Sequence, residues 1–206
     1  MGLKKALWAA LAGSTFALGS SGAMAVACAD IHTIGDWASA GSCTQQDKSW
    51  TYTDSTFAAS VIVIFGGGPG EHILQIAGFD NSTAAASWNI HYTIDVTTAG
   101  NFISDMFAGA DNPGGGSSLI KNVTGDPGGA FQLTDFNGVE GPASEKHGLT
   151  ATHLAVEELI HVNSSAVLSS VSNTFFENTR QAPEPGTLVL LGAGLVALGA
   201  LRRKAS

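Results

Sequence analysis

The sequence predicts an all-β chain whose body is an antiparallel β-sandwich, and three observations predict it. Short β-branched or alternating runs recur about every ten residues, with turn chemistry between them. One run alternates without a break: Trp88, Ile90, Tyr92, Ile94 and Val96 are apolar, and Asn89, His91, Thr93 and Asp95 between them are polar. A period of two puts one set on a buried face and the other in water, whereas a helix would scatter both around its circumference. No repeat of fixed period runs through the chain, which weighs against propellers and solenoids.

The elements follow in order. Residues 30–47 are polar and mixed, and Trp50-Thr51-Tyr52-Thr53 reads as a first strand. Val61-Ile62-Val63-Ile64-Phe65, the turn Gly66-Gly67-Gly68-Pro69-Gly70 and Ile73-Leu74-Gln75-Ile76 make a hairpin. After the strand centred on Tyr92, residues 101–106 form another. Leu119-Ile120-Lys121-Asn122-Val123 and Phe131-Gln132-Leu133 are short strands around the turn Gly125-Asp126-Pro127-Gly128-Gly129. Residues 137–147 read as a polar loop. Over residues 150–162, Leu154, Glu157, Glu158 and Leu159 fit a helical face, but Thr150, Thr152, Leu154 and Val156 alternate, as do Ile160 and Val162. The alternation favours a strand. A turn at Asn163-Ser164-Ser165 then leads into Val167, Ser169, Val171, Asn173 and Phe175, again at period two.

Two ends flank this body, giving segments 1–25, 26–180 and 181–206. Lys4 and Lys5, an apolar stretch over 6–18 and Ala23-Met24-Ala25 read as a signal peptide with its helix and cleavage site. Residues 187–201 are uncharged and, as a helix, cover about 22 Å. That is short for a hydrocarbon core of about 30 Å. Arg202, Arg203 and Lys204 follow as a basic stop, so the segment reads as a short transmembrane helix in a sorting tail. Without the ends, the body carries four basic against sixteen acidic residues, a net charge of −12. This argues against nucleic acid, whose affinity rests on Lys and Arg at phosphates, and against an anionic membrane surface.

Cys28 and Cys43 both follow the signal and meet an oxidising compartment. A disulfide between them is the expected state. Lipidation of Cys28 after Ala25-Val26-Ala27, and unpaired thiols, are the alternatives.

Little else carries chemistry. His153, Glu157 and His161 would share one face of a helix and could hold zinc there, but on a strand they span about 27 Å. No metal or cofactor is expected. Asp135, Asn137 and Glu140 lack the twelve-residue ligand pattern of a calcium loop. The glycines at 66–70 are not followed by the Gly-Lys-Ser/Thr of a phosphate cradle. There is no Gly-x-Ser-x-Gly elbow. Trp37 and Trp50 would serve as sugar platforms if exposed and as core if buried.

The tail resembles the PEP-CTERM sorting signal of bacterial exported proteins. The residues that carry the resemblance are Pro183-Glu184-Pro185-Gly186-Thr187, the apolar 188–201 and Arg202-Arg203-Lys204. In the body, Cys28, Gly35-Asp36-Trp37, Gly41-Ser42-Cys43, Asp47-Lys48 and Tyr52 resemble the start of PEP-CTERM cargo proteins. Val162-Asn163 and Ser169-Ser170-Val171-Ser172-Asn173-Thr174-Phe175 resemble their last strands. The resemblance implies an exosortase as partner, a membrane-embedded cysteine protease or transpeptidase that removes the tail. It also implies an outer-membrane bacterium that makes exopolysaccharide, and transient residence in the inner membrane before release to the surface. The expectation is a non-catalytic exported cell-surface or matrix protein. A carbohydrate-binding module and, behind it, a secreted hydrolase are the alternatives.

Overall fold

The computed structural model describes residues 26–78, 85–111, 116–139, 142–164 and 168–179. The signal segment 1–25 and the tail 181–206, with the two helices expected in them, lie outside the described residues.

Alternation along the strands builds two sheets with one shared interior. In chain order the elements are β1 (Val26–Ala27), α1 (Ile34–Ala40), β2 (Ser42–Gln45), β3 (Lys48–Ser55), β4 (Ile62–Gly66), β5 (Glu71–Ala77) and β6 (Ala86–Val96). They continue with β7 (Asn101–Asp111), β8 (Ser117–Asp126), β9 (Gly129–Phe136), β10 (Glu145–Lys146), β11 (His153–Val162) and β12 (Ser170–Thr179). One sheet has seven strands in the order β1-β2-β3-β6-β11-β8-β9, and the other has five in the order β10-β7-β12-β5-β4. All neighbours are antiparallel except the two-residue β1 against β2. The expected sandwich is therefore observed. Ile90, Tyr92 and Ile94 of β6 and Leu154, Val156, Ile160 and Val162 of β11 face Leu74, Ile76, Ile103, Met106, Val171 and Phe175 of the second sheet.

The expected β4–β5 hairpin forms around its glycines. At Gly67, φ is +108° and a Cβ would lie 2.2 Å from the Glu71 carbonyl oxygen, so only glycine fits. The strand expected over 101–106 runs on to Asp111, and the polar loop 137–147 contains a 3-10 turn at Pro142–Ser144 and the short β10.

The polar stretch 30–47 departs further from expectation, because it holds α1. Thr33 Oγ1 accepts from the Asp36 backbone N–H at 3.1 Å, and Asp36 Oδ2 accepts from the Thr33 N–H at 3.0 Å, a reciprocal capping box. Gly41, at φ +73°, ends the helix. The helix buries Ile34 and Trp37 against the sandwich. Trp37 packs on Phe65 at 5.0 Å and on Tyr52 and Tyr92 at 5.7 Å between ring centroids. Trp50 lies beside it, 5.3 Å from Phe65 and 5.5 Å from Phe175. Both indoles are fully buried, so neither is a platform for sugar and both are core.

Cys28 and Cys43 are disulfide-bonded and buried, which leaves no thiol for lipidation and sets aside the unpaired-thiol alternative. The bond ties β2 to the turn after β1 across a separation of 15 residues. A loop of that size raises stability by about 3 kcal/mol, mostly by restricting the unfolded chain. Urea denaturation of the Cys28→Ser/Cys43→Ser variant is expected to show a loss of that order. An unchanged midpoint would contradict it.

Candidate functional site

The outward face of the seven-stranded sheet carries a row of directly opposed polar residues. Asp54 is in register with His91, His91 with Glu157, Glu157 with Asn122 and Asn122 with Gln132, across β3, β6, β11, β8 and β9. Hydrogen bonds run along the whole row. His91 Nδ1 pairs with Asp54 Oδ1, and His91 Nε2 lies 3.1 Å from Glu157 Oε1. Asn122 Nδ2 donates to Glu157 Oε2 at 2.8 Å, and Gln132 Nε2 donates to Asn122 Oδ1 at 2.8 Å.

Two residues along β11 the side chains become short. Ala155 is opposed by Thr93 on one side and Thr124 on the other. Two residues further, His153 Nδ1 pairs with Asp95 Oδ1 at 2.7 Å. Because alternate residues share a face, the Thr93–Ala155–Thr124 row is the floor of an open groove that crosses the strands. Thr53 also lines it. The His91–Glu157–Asn122 row is one wall, and the His153–Asp95 pair follows on the same face of the sheet. The groove offers hydroxyls, an amide, carboxylates and imidazole around methyl groups.

The charges in the wall support one another. Hydrogen bonding to Asp54, and then to Glu157, raises His91 above its ordinary value of 6.5. Hydrogen bonds from Asn122, and then from His91, lower Glu157 below 4.5.

A second cluster sits at one end of the sandwich. Asp47, His72 and Glu177 each present one ligand atom within 4.8 Å of the others, a set that suits a divalent cation. A cation is already there: the fully buried Lys48 donates to Asp47 Oδ1 at 2.5 Å and to Glu177 Oε2. Asn101 Nδ2 donates to the same two carboxylates at 2.9 and 2.6 Å. His72 Nε2 stands 3.7 and 3.5 Å from them. Burial, and then the nearby ammonium, push His72 down to about 4, so it is neutral at physiological pH. Burial pushes both carboxylates up, but Lys48 and Asn101 outweigh it for Asp47, which ends below its ordinary value, whereas Glu177 ends above.

A third cluster lies inside. Glu158 Oε1 accepts from Tyr92 Oη at 2.6 Å and from Asn173 Nδ2 at 2.9 Å, and Lys121 Nζ stands 3.7 Å away. All four side chains are buried between the sheets.

The residues singled out in the sequence are mostly dispersed. His153, Glu157 and His161 lie on one face of β11 with different partners, so they form no metal site. Ser87 Oγ is 2.8 Å from His161 Nδ1, and His161 Nε2 is 3.1 Å from Asn163 Oδ1, but this is a cross-strand pair on open sheet. Asp135 is buried and accepts from the Ala110 N–H at 3.0 Å, while Asn137 Oδ1 caps the Gly116 and Ser117 N–H groups. These are structural bonds, and Glu140 lies outside the described residues. Pro183, Glu184, Pro185, Arg202, Arg203 and Lys204 also lie outside them. The Asp47–Lys48–His72–Glu177 cluster escaped sequence reading. Its signal was Lys48, which shares the inward parity of Trp50.

Replacing Lys48 by Met is expected to lower stability by about 3 kcal/mol, because two largely buried carboxylates would lose their shared counter-charge. A loss below about 1 kcal/mol in urea denaturation, the size of a surface pair, would contradict it. The groove wall gives a pH prediction. A raised His91 stabilises fully below 6.5, and that contribution is lost as pH rises through its folded value. A lowered Glu157 stabilises above 4.5, and that contribution is lost as pH falls through its folded value. The stability gap between wild type and His91→Gln is therefore expected to be larger near about pH 5.5 than near about pH 8.5. A gap independent of pH would contradict the pairing.

The family model for the PEP-CTERM protein-sorting motif matches residues 181–204. The match spans Pro183-Glu184-Pro185 and Arg202-Arg203-Lys204. A search of curated proteins found no match. Among solved structures, TmCBM61 in complex with beta-1,4-galactotriose is similar at 9% identity and a TM-score of 0.35, covering 64% of this chain and 88% of that one. A likeness at that score bears on neither fold nor ligand. Residues 181–204 thus carry a PEP-CTERM protein-sorting motif, which indicates an exosortase substrate.

Proposed function

We propose that the chain is an exported, non-catalytic β-sandwich, delivered to the cell surface or matrix through a tail that an exosortase removes. The observation that carries this reading is the sorting motif over residues 181–204. The signal segment takes the body across the inner membrane. The apolar residues 187–201 lodge in the bilayer, and Arg202, Arg203 and Lys204 keep the far end inside by the positive-inside rule. Pro183, Glu184 and Pro185 form the recognition element just outside. So short an apolar segment suits transient residence better than permanent anchorage. The body's acidity and its disulfide suit an exposed, oxidising environment.

A second reading gives the body a ligand, and the groove floored by Thr93, Ala155 and Thr124 favours it. Its width across strands suits an extended polymer, and its hydroxyl, amide and carboxylate groups suit sugar hydroxyls. The net negative body and the carboxylates on that face of the sheet disfavour acidic polymers, so the ligand class is a neutral polysaccharide. For the hydrolase alternative the described residues offer the Ser87–His161–Asn163 chain, which lies on open sheet.

Two experiments separate these. Alanine in place of Pro183, Glu184 and Pro185 together is expected to hold the protein in the inner-membrane fraction with its tail attached. Wild-type distribution of that variant would refute the sorting role. In affinity electrophoresis through neutral polysaccharides, the wild type is expected to be retarded, and Ala155→Phe, which fills the groove, to lose most of that retardation. Equal retardation of the two proteins would rule out the groove.

A further inference from the structure

Lys121, Glu158 and Asn173 stand where alternation calls for apolar residues. Lys121 lies between Leu119 and Val123, Glu158 between Val156 and Ile160, and Asn173 between Val171 and Phe175 on the inward faces of β8, β11 and β12. All three are 0% exposed. Burying an ammonium, a carboxylate and an amide together is costly, and packed aliphatics are commonly as stable or more so. The hydrogen bonding is also incomplete. Lys121 Nζ, Glu158 Oε2 and Asn173 Oδ1 have no hydrogen-bond partner among the described residues.

The arrangement is suited to a reaction. Lys121 comes from the seven-stranded sheet and Asn173 from the five-stranded one, yet both address the same oxygen, Glu158 Oε1, at 3.7 and 2.9 Å. Tyr92 Oη, donating to that oxygen at 2.6 Å, holds the carboxylate in place. We propose that Lys121 Nζ and Asn173 Cγ condense into an intramolecular isopeptide bond that joins the two sheets, with Glu158 carrying the proton.

The steps balance without any co-reactant. The Lys121 ammonium passes a proton to Glu158 and becomes a neutral amine. Burial favours this form and pushes Lys121 down to about 8, against the opposing pull of Glu158. The Asn173 amide, whose two ends are nearly equal in shape, turns its oxygen toward the protonated carboxyl, which donates to it and makes Cγ electrophilic. The amine attacks Cγ and forms a C–N bond. As that bond forms Glu158 passes its proton to the amide oxygen, and the freed carboxylate takes the second proton from the attacking nitrogen, delivers it to the leaving nitrogen, and regains the first proton from the oxygen as the C=O re-forms. The original C–N bond breaks and ammonia departs. Amine and primary amide become one secondary amide plus ammonia, with no change of oxidation state. Three buried groups held side by side supply the effective concentration that an amide otherwise lacks. The product removes the buried ammonium, and its new N–H and C=O can both bond to Glu158.

Asp135 is the competing acceptor, since it is buried on β9 and its charge is felt by Lys121. A link to it would release water instead. Its Oδ2 is already engaged by the Ala110 N–H.

Peptide mapping of the purified, reduced and denatured protein tests the assignment. Trypsin cuts after Lys48, Lys121, Lys146 and Arg180. The expected result is no cut at Lys121, and a peptide 49–146 covalently joined to 147–180, lighter than their sum by one ammonia. Separate peptides 49–121, 122–146 and 147–180 at full mass would overturn the proposal. So would a link confined to 49–146 with loss of water, which assigns Asp135. In Glu158→Gln, which keeps hydrogen-bonding capacity but cannot take a proton, the joined pair is expected to disappear. Its persistence at wild-type yield would overturn the role of Glu158. If that variant does not fold, the wild-type map decides the bond alone.

Discussion

Inside the sandwich the Glu158 carboxylate has to be answered from both sheets at once. Tyr92 and Lys121 reach it from the sheet that contains it, and Asn173 reaches it from the opposite one. Strand β11 is paired over its full ten residues with β6 on one side and β8 on the other. A slip of one residue would turn Glu158 into solvent and drive Glu157 inward, breaking the outer row it forms with His91 and Asn122. The same register sets the outer face. It aligns Glu157 with His91 and Asn122, and Ala155 with Thr93 and Thr124. The buried charge and the surface groove are therefore two sides of one strand placement.

Much of this was legible in the sequence, because it rests on a period of two. The alternation from Trp88 to Val96 marked β6, and Leu154, Val156, Ile160 and Val162 marked β11 against a helical alternative. What escaped was the meaning of polar residues at core parity. In the sequence Glu158 fits a helical face beside Glu157, although its neighbours two residues away on each side are Val156 and Ile160. Lys121 and Asn173 carried the same signal within their own strands. Their convergence was not legible, since it depends on which strands are paired and which face each other across the core. Helix α1 was missed for a different reason: seven residues give too little periodicity. Its Thr33-x-x-Asp36 cap was the local sign that was available. The cross-strand row from Asp54 to Gln132 needs the full strand order and could not be read from spacing.

Body and tail divide the work. The tail has local, sequence-encoded chemistry: a breaker, an apolar run and a basic stop. The body is a covalently closed and charge-pinned scaffold. Its helix is capped, its cysteines are bonded, and its buried Lys48 holds Asp47 and Glu177 together at one end. A scaffold so constrained suits persistence outside the cell, where no chaperone or reductant repairs it. On its outer face the body displays cross-strand hydrogen-bonding rows.

The central claim is that the tail is an address removed on delivery. Its most direct test is the C-terminal residue of the protein recovered from the cell surface, read by mass spectrometry. The account predicts a chain ending at or near Pro183-Glu184-Pro185. A surface form that still carries residues 187–206 would contradict it and make the tail a permanent anchor.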